Sequence, residues 1–300
     1  SDDIAKIEGA NAPRFRVCVG SVLAAAALAV FFGGNILDGV TAAVFAVIIW
    51  LMQVYFAPIC TNNILFNFLC SFVTGVLIGM VGHVIPIHGD KVMIGDIMLL
   101  IPGLALTNAV KDMFVGDTIT GSLRLVESLL WAAAIADLPW RYLSRFRRCR
   151  QMQQTIIQVV TALLGSLGFA LMFNLGKRNV IPAAINGMCT WVVYILMGKV
   201  VDDVFVPSLV ASLWAAIFAE AAARIMKAPA NQYLIVGLIP LLPGAPLYYT
   251  LSAAFDSDWV TAGARGNDTI LFVLGIAVGI SAVCGCDDII KRLKGRRSRA

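Results

Sequence analysis

Long apolar runs separated by short polar stretches extend along almost the whole chain. About ten such runs are present, and most approach the ~20 residues that a membrane-spanning helix needs. They cover residues 17–32, 40–56, 64–85, 94–110, 123–136, 156–173, 181–197, 204–225, 233–255 and 270–284. Long apolar runs favour helices in lipid, because a helix pairs its own backbone groups. The pattern therefore predicts an all-α polytopic membrane protein.

The second half of the chain repeats the first at a shift of 141 positions. At this shift Pro102 meets Pro243 and Gly103 meets Gly244 without a gap, in the fourth apolar run of each half. Paired runs interrupted by proline and glycine are the best sequence pointer to the binding site of a transporter. We therefore expect two homologous bundles of about five apolar segments each, with the fourth segment of each broken at Pro-Gly.

Composition supports a membrane location. Hydrophobic residues make up 59% of the chain and charged residues 14%, against about 45–50% and about 25% in soluble domains. This excludes a soluble globule, a disordered chain and a coiled coil. The seven cysteines form no paired CxxC motifs, so neither a metal site nor a cofactor is expected. The core also lacks the HExxH and GxSxG motifs, so we do not expect an enzyme.

Basic residues cluster near the N-terminus, between the halves and at the C-terminus. Each cluster flanks an apolar run, which is typical of cytoplasmic loops and does not require nucleic acid. The clusters divide the chain into a residual N-terminal segment (1–14), a first membrane bundle (15–140), a basic cytoplasmic linker (141–153), a second membrane bundle (154–288) and a basic C-terminal tail (289–300). We expect a multi-pass protein of the plasma membrane with cytoplasmic N- and C-termini.

Five crossings in each half conflict with three cytoplasmic clusters. One resolution is four crossings and a re-entrant or broken fourth segment in each half, which makes the two repeats parallel. The other is five true crossings and inverted repeats, with one basic cluster on the wrong side. We favour the first resolution, because the fourth segment carries the helix-breaking residues.

The fourth run and the residues after it resemble a family signature. They read GDIMLLIPGLALTNA at 95–109, KDM at 111–113, GDT at 116–118 and RLVE at 124–127. This resembles the threonine/serine exporter family, whose fungal relatives include pheromone-regulated membrane proteins. IPLLPGAPLY at 239–248 resembles the partner half of that family, fused here to the first. The resemblance implies export of threonine and serine driven by the proton gradient.

The broken segments are the expected substrate site. Freed N–H groups at the start of a half-helix suit the carboxylate of an amino acid, and freed carbonyls or an acidic side chain suit its ammonium group. The expected substrate-binding residues are Pro102, Gly103, Thr107, Asn108, Pro243, Gly244 and Tyr248. The alternative is that Pro-Gly only kinks a packed helix while Thr107 and Asn108 hold neighbouring helices together.

Acidic residues in or beside the apolar runs are candidates for proton coupling. They are Glu127, Glu220, Asp96, Asp112 and Asp117. Glu127 and Glu220 have basic neighbours at helical spacing, so a local ion pair is the alternative. The three aspartates flank the broken segment, where we expect them to contact water.

Taken together, these residues favour a threonine and serine exporter, with antiport against protons as the coupling. Its expected partners are the small-molecule substrate and the lipid bilayer, while homo-oligomerisation is left open. The alternatives are a channel or pore subunit for a small polar solute and a structural membrane subunit that needs a partner.

Overall fold

The computed structural model describes residues 14–56, 63–100, 112 and 151–297, and these residues form helices without a strand. The helices of the first half are α1 (Arg14–Phe31), α2 (Ile36–Tyr55), α3 (Asn63–Val84) and α4 (Gly89–Ile97), which is followed by a 3-10 turn, Met98–Leu100. Those of the second half are α5 (Gln151–Met172), α6 (Lys177–Met197), α7 (Phe205–Met226) and α8 (Ala230–Leu238), a second 3-10 turn (Ile239–Leu241), α9 (Gly244–Phe255) and α10 (Trp259–Arg297). The predicted all-α fold is confirmed.

Six helices of the described ranges are long and apolar enough to cross a membrane: α1, α2, α5, α6, α7 and α10. A seventh span is formed by α8 with its 3-10 turn and α9, which meet at a bend of 46°. The part of α3 from Leu69 to Val84 adds a shorter apolar helix. The chain is therefore a multi-pass membrane protein.

Helix boundaries follow the sequence repeat. The bounds of α4 and α8 differ by 141 positions at both ends, and so do the bounds of the two 3-10 turns. The starts of α2 and α6 differ by the same number. The two halves therefore build the same series of elements, including a fourth helix that ends in a 3-10 turn.

The first helices of the two halves pack against each other in opposite directions. Arg16, near the start of α1, donates a hydrogen bond to Asn174, just after the end of α5 (Nη1–Oδ1 3.0 Å). Twelve residues further along α1, the side chain of Leu28 lies against Gly165, which comes earlier in α5. Since α1 and α5 are equivalent elements that run antiparallel, the two repeats have inverted topology.

Small residues allow this close approach. A Cβ atom at Gly20 would collide with the backbone of Gly168, and one at Gly168 would collide with the backbone of Ala24. Helices in lipid associate through such close packing, because the surrounding acyl chains are as apolar as the side chains. The α1–α5 contact is thus the central joint between the halves.

Helices α7 and α10 pack side by side in the same direction. Gly275 of α10 lies against Ser208 of α7, and Gly279, one turn later, lies against Ser212. A parallel α10 requires that the chain between the end of α7 and the start of α10 crosses the whole bundle. The bent α8–α9 segment is therefore a complete crossing and not a re-entrant loop.

These helix directions support five crossings in each half and inverted repeats. They do not support the re-entrant fourth segment and parallel repeats that we favoured from the sequence. The proline-containing segment bends but still continues across, because a 46° bend changes its direction far less than a re-entrant turn would. The Arg141–Arg150 cluster lies outside the described residues, but it leads into Gln151 at the end of the bundle opposite Arg14. The predictions that the N-terminus and the linker are both cytoplasmic therefore conflict.

The two ends of the bundle can now be distinguished. The N-terminal face carries the start of α1, and the opposite face carries the starts of α4 and α10.

On the opposite face, Asp258 lies in the turn before α10 and accepts a hydrogen bond from the backbone N–H of Thr261 (3.1 Å). Hydrogen bonds from Thr261 lower the pKa of Asp258 below its usual value, so the carboxylate caps the first turn of α10.

Candidate transport site

The fourth segments of the two halves meet in the interior of the bundle. The side chain of Met98, in the first 3-10 turn, lies against Gly244, where α9 begins, and a Cβ atom at Gly244 would collide with its sulfur. Leu242, Ala245 and Tyr248 belong to a hydrophobic cluster made largely of first-half residues. The broken segment of the second half is therefore inserted into the core of the first.

Proline explains where this segment breaks. Pro240 lies in the second 3-10 turn and Pro243 directly precedes α9. Neither residue has a backbone N–H, so a continuous ladder of hydrogen bonds cannot run from α8 into α9. Leu242 between them has an extended backbone (φ −65°, ψ 133°).

Among the described residues, the first two N–H groups of α9 have no backbone acceptor. The first backbone N–H in α9 that bonds to a carbonyl in this region is that of Leu247, which reaches Pro243 (3.0 Å). Pro246 has no N–H, and Pro243 provides no side-chain cap. The N–H groups of Gly244 and Ala245 therefore lie in a buried position at the positive end of a helix, where an anionic group is stabilised.

Asp96 is buried in the last turn of α4, one turn before the chain leaves the described range. It is 1% exposed, and both carboxylate oxygens lack a hydrogen-bond partner among the described residues. Its neighbour Gly95 lies so close to Ala25 and Ala29 of α1 that a Cβ atom would collide with backbone atoms there. The expectation that Asp96 contacts water is wrong, because the tight α1–α4 packing carries this turn into the bundle.

The other sequence-predicted residues divide into three groups. Pro243 and Gly244 are buried at the break, and Tyr248 is 5% exposed one turn later. Asp112 is half-buried. Pro102, Gly103, Thr107, Asn108, Asp117 and Glu127 lie outside the described residues, so their roles stay predictions.

Glu220 lies near the end of α7 and away from the break. Its carboxylate is 3.9 Å from the guanidinium of Arg224, one turn further on, and the Arg224 side chain is 63% exposed. This geometry matches the local ion pair that the spacing indicated. It places Glu220 toward the N-terminal face and does not bring it to the centre.

Sequence reasoning missed a polar cluster on the opposite face. Lys91 of α4 donates a hydrogen bond to the hydroxyl of Tyr249 in α9 (2.7 Å), and that hydroxyl donates to Asp90 (3.1 Å). Asp90 and Lys91 are 158 or more positions from Tyr249, so no local spacing reveals the contact. The only available signal was an adjacent pair of opposite charges at the start of an apolar run.

A second missed contact joins the starts of α2 and α4. Asp38 is 1% exposed and accepts hydrogen bonds from the backbone N–H of Asn35 (2.6 Å) and of His88 (2.7 Å). The ring nitrogen Nδ1 of His88 lies 2.8 Å from the same carboxylate. His88 therefore serves as an interface residue. Asp38, which is not among the sequence-predicted site residues, joins the start of α2 to the start of α4.

Asn186 is the main buried amide of the second half. Its Nδ2 donates to the carbonyls of Ala215 in α7 (3.2 Å) and Tyr233 in α8 (3.1 Å), and its side chain fills the space beside Gly237. Gly237 is the repeat equivalent of Asp96. The second half thus places a neutral amide from a neighbouring helix where the first half places an acid.

An all-helical membrane bundle of two inverted halves, with an interrupted fourth helix at their contact, is an architecture typical of secondary transporters. Residues 2–136 match the family model described as "Putative threonine/serine exporter", and residues 158–284 match the one described as "Threonine/Serine exporter, ThrE". The chain belongs to the threonine/serine exporter family, in a form that fuses its two halves. No curated protein and no solved structure matches the chain.

Proposed function

We propose that the protein exports threonine and serine by alternating access, in exchange for protons. The observation that carries this proposal is Asp96, a buried carboxylate without a partner among the described residues, in the half-helix that leads to the contact between the two fourth segments. A bare carboxylate in a dry interior costs several kcal/mol. We take Asp96, which has no hydrogen-bond partner in the described part of the chain, to be neutralised either by a proton or by a cationic group of the cargo.

This requirement links the two transported species. The ammonium group of threonine or serine pairs with the Asp96 carboxylate on the outward path, and a proton neutralises Asp96 on the return. The state in which Asp96 is ionised and unpaired has the highest free energy. The transporter therefore does not reorient unless it binds a proton or a substrate molecule. One proton then enters for each amino acid that leaves.

The remaining groups of the substrate are assigned to α9 and to residues that the sequence predicts for the first half. The N–H groups of Gly244 and Ala245 at the start of α9 suit its carboxylate. The Tyr248 hydroxyl, with Thr107 and Asn108 of the first half, suits the hydroxyl that distinguishes threonine and serine from apolar amino acids. This division of roles places the cargo between the two broken segments, where a rocking motion of the halves exposes it to each side in turn.

The energy of the proton is sufficient for export. The exchange moves one net positive charge inward, because the substrate is a zwitterion. Moving one charge through 100 mV is worth about 2.3 kcal/mol, which supports an accumulation of about 50-fold. Glu127 remains a second candidate for the proton, whereas we assign Glu220, which lies 3.9 Å from Arg224, a structural role.

The N-terminal face is the cytoplasmic one in this proposal. Among the described residues, that face carries Arg14, Arg16, Lys177, Arg178, Arg224, Lys227, Lys291, Arg292, Lys294, Arg296 and Arg297. Within the same described ranges, the opposite face carries Lys91, Lys199 and Arg265, and the Arg141–Arg150 cluster, which lies outside those ranges, leads into this face at Gln151. Cytoplasmic loops hold the excess of lysine and arginine, so we assign both termini of the chain to the cytoplasm. The membrane in this proposal is the plasma membrane.

Counterflow tests this function directly. Proteoliposomes that contain the purified protein are loaded with unlabelled threonine and diluted into a trace of labelled threonine. Alternating access predicts a transient concentration of label inside above the level outside, and an outward-directed proton gradient then drives net uptake of threonine into the liposomes. Label that only equilibrates indicates a channel, and label that stays outside with both threonine and serine refutes the assigned substrates.

A further inference from the structure

Three side chains join the two halves on the face opposite the N-terminus. We call Asp90, Lys91 and Tyr249 the latch. Lys91 Nζ donates to the Tyr249 hydroxyl at 2.7 Å, the hydroxyl donates to Asp90 Oδ2 at 3.1 Å, and Lys91 Nζ is 3.3 Å from the same Asp90 oxygen. Each member therefore contacts the other two, and the bonds run from α4 of the first half to α9 of the second.

A second cation lies beside the aromatic ring of the latch. The guanidinium carbon of Arg265 is 5.3 Å from the centroid of the Tyr249 ring, whereas Lys91 contacts the ring at its hydroxyl edge. Cations at this distance from an aromatic face are attracted to it. Because Arg265 comes from α10, the ring is also tied to the helix that follows the broken segment.

The latch lies between the central site and the outer end of both broken segments. Lys91 precedes Asp96 by five residues on α4, and Tyr249 follows Gly244 by five residues on α9. At 1.5 Å per residue, each separation is about 8 Å along its helix. The latch therefore covers the contact between the two fourth segments from one face only.

The other face carries different chemistry at the equivalent positions. The repeat places Asn231 and Gln232 at the start of α8, where the first half has Asp90 and Lys91. Gln232 Oε1 is buried without a hydrogen-bond partner among the described residues. The start of α8 therefore carries neutral amides at the positions where the start of α4 carries opposite charges.

We propose that the latch is the gate of the face opposite the N-terminus, closed in this structure, and that release of cargo on that face requires Lys91 and Tyr249 to separate. This inference rests on the alternating access proposed above. It assigns a specific contact to one of its two closed states. Hydrogen bonds with a charged donor are stronger than neutral ones, so the latch biases the empty transporter toward closure on this face.

Reporter labelling tests the gate without any transported substrate. In a variant with its native cysteines replaced by serine, Met98→Cys puts a thiol beneath the latch, at a position 2% exposed in the closed structure. A membrane-impermeant maleimide is applied from each side in turn. Lys91→Met and Tyr249→Phe are compared with the parent, and Tyr55→Phe is the matched control, since Tyr55 is 64% exposed at the other end of α2.

Lys91→Met and Tyr249→Phe should each raise the labelling rate about tenfold, and only from the face of the latch. The double variant should be no faster than Tyr249→Phe alone, because that substitution already removes both hydrogen bonds between the halves. Tyr55→Phe should label at the parental rate. Tyr249→Phe deletes one oxygen atom, so it retains the fold even where Lys91→Met does not.

Unchanged labelling in Tyr249→Phe, or an equal rise from both faces, overturns the gate. Effects of Lys91→Met and Tyr249→Phe that multiply in the double variant also overturn it. Each of these results leaves counterflow of threonine untouched, so failure of the gate is distinct from failure of the proposed function. Conversely, a protein that passes the labelling test but shows no counterflow keeps the gate and loses the assigned substrates.

Discussion

Replacing Asp96 by asparagine removes the proposed proton site without changing the packing of the bundle. Asparagine has nearly the same size and shape, so the packing around the last turn of α4 is retained. The substitution removes the negative charge and the site for a proton. Since neither carboxylate oxygen has a hydrogen-bond partner among the described residues, no bond within that part of the chain is broken.

The effect on stability is therefore small and the effect on coupling is complete. A lone buried carboxylate costs several kcal/mol when ionised, whereas an unpaired buried amide costs about 1–3 kcal/mol. The thermal midpoint of Asp96→Asn in detergent should be equal to or higher than that of the parent. When one proton is exchanged for each threonine, a difference of one pH unit across the membrane supplies about 1.4 kcal/mol. In the parent this free energy supports a threonine gradient of about tenfold.

The assay uses proteoliposomes with the membrane potential held at zero and a difference of one pH unit across the membrane. The parent should accumulate threonine about tenfold, and Asp96→Asn should only equilibrate it. Asp96→Glu is the control, because it keeps an ionisable group and should retain part of the gradient. If a folded Asp96→Asn protein still builds the parental threonine gradient, the reasoning is refuted and another residue must carry the proton.

Three further outcomes follow from the same geometry. Gly168→Ala should lower the free energy of unfolding by about 1–3 kcal/mol, because its Cβ enters the α1–α5 contact. Gly263→Ala, with open space around it, should not lower it. Thermal unfolding in detergent compares the two, and equal midpoints contradict the close packing of α1 against α5. Pro102→Ala and Gly103→Val should each reduce threonine efflux with normal membrane insertion, and normal efflux in both removes them from the mechanism. Glu127→Gln should weaken the pH dependence of efflux if Glu127 shares the proton, and an unchanged profile makes it a structural residue.

The break of the second fourth segment illustrates what local sequence can predict. Pro243 and Gly244 interrupt an apolar run, and proline cannot continue a helical ladder. The structure accordingly starts a new helix at Gly244 after a 3-10 turn. The aligned boundaries of α4 and α8 follow from the same cause, because the two halves repeat their helix-forming and helix-breaking residues.

Asp96 and the latch illustrate what local sequence does not reveal. Asp96 stands beside a break, where water is a reasonable expectation, and its burial depends on how closely Gly95 approaches α1. The latch joins Lys91 to Tyr249 across the two halves. Both features depend on distances between residues that are remote in the chain, so neither leaves a periodic pattern.

The sequence by itself determined a helical membrane protein of two repeated halves, because apolar runs of spanning length and paired Pro-Gly breaks are local properties of the chain. Only the tertiary structure decided that the halves are inverted. A helix has the same apolar run whichever way it crosses the membrane, whereas the contacts of Arg16 with Asn174 and of Leu28 with Gly165 show that α1 and α5 run in opposite directions. That inversion brings the two fourth segments together, and it leaves Asp96 between the latch and the contact of Met98 with Gly244.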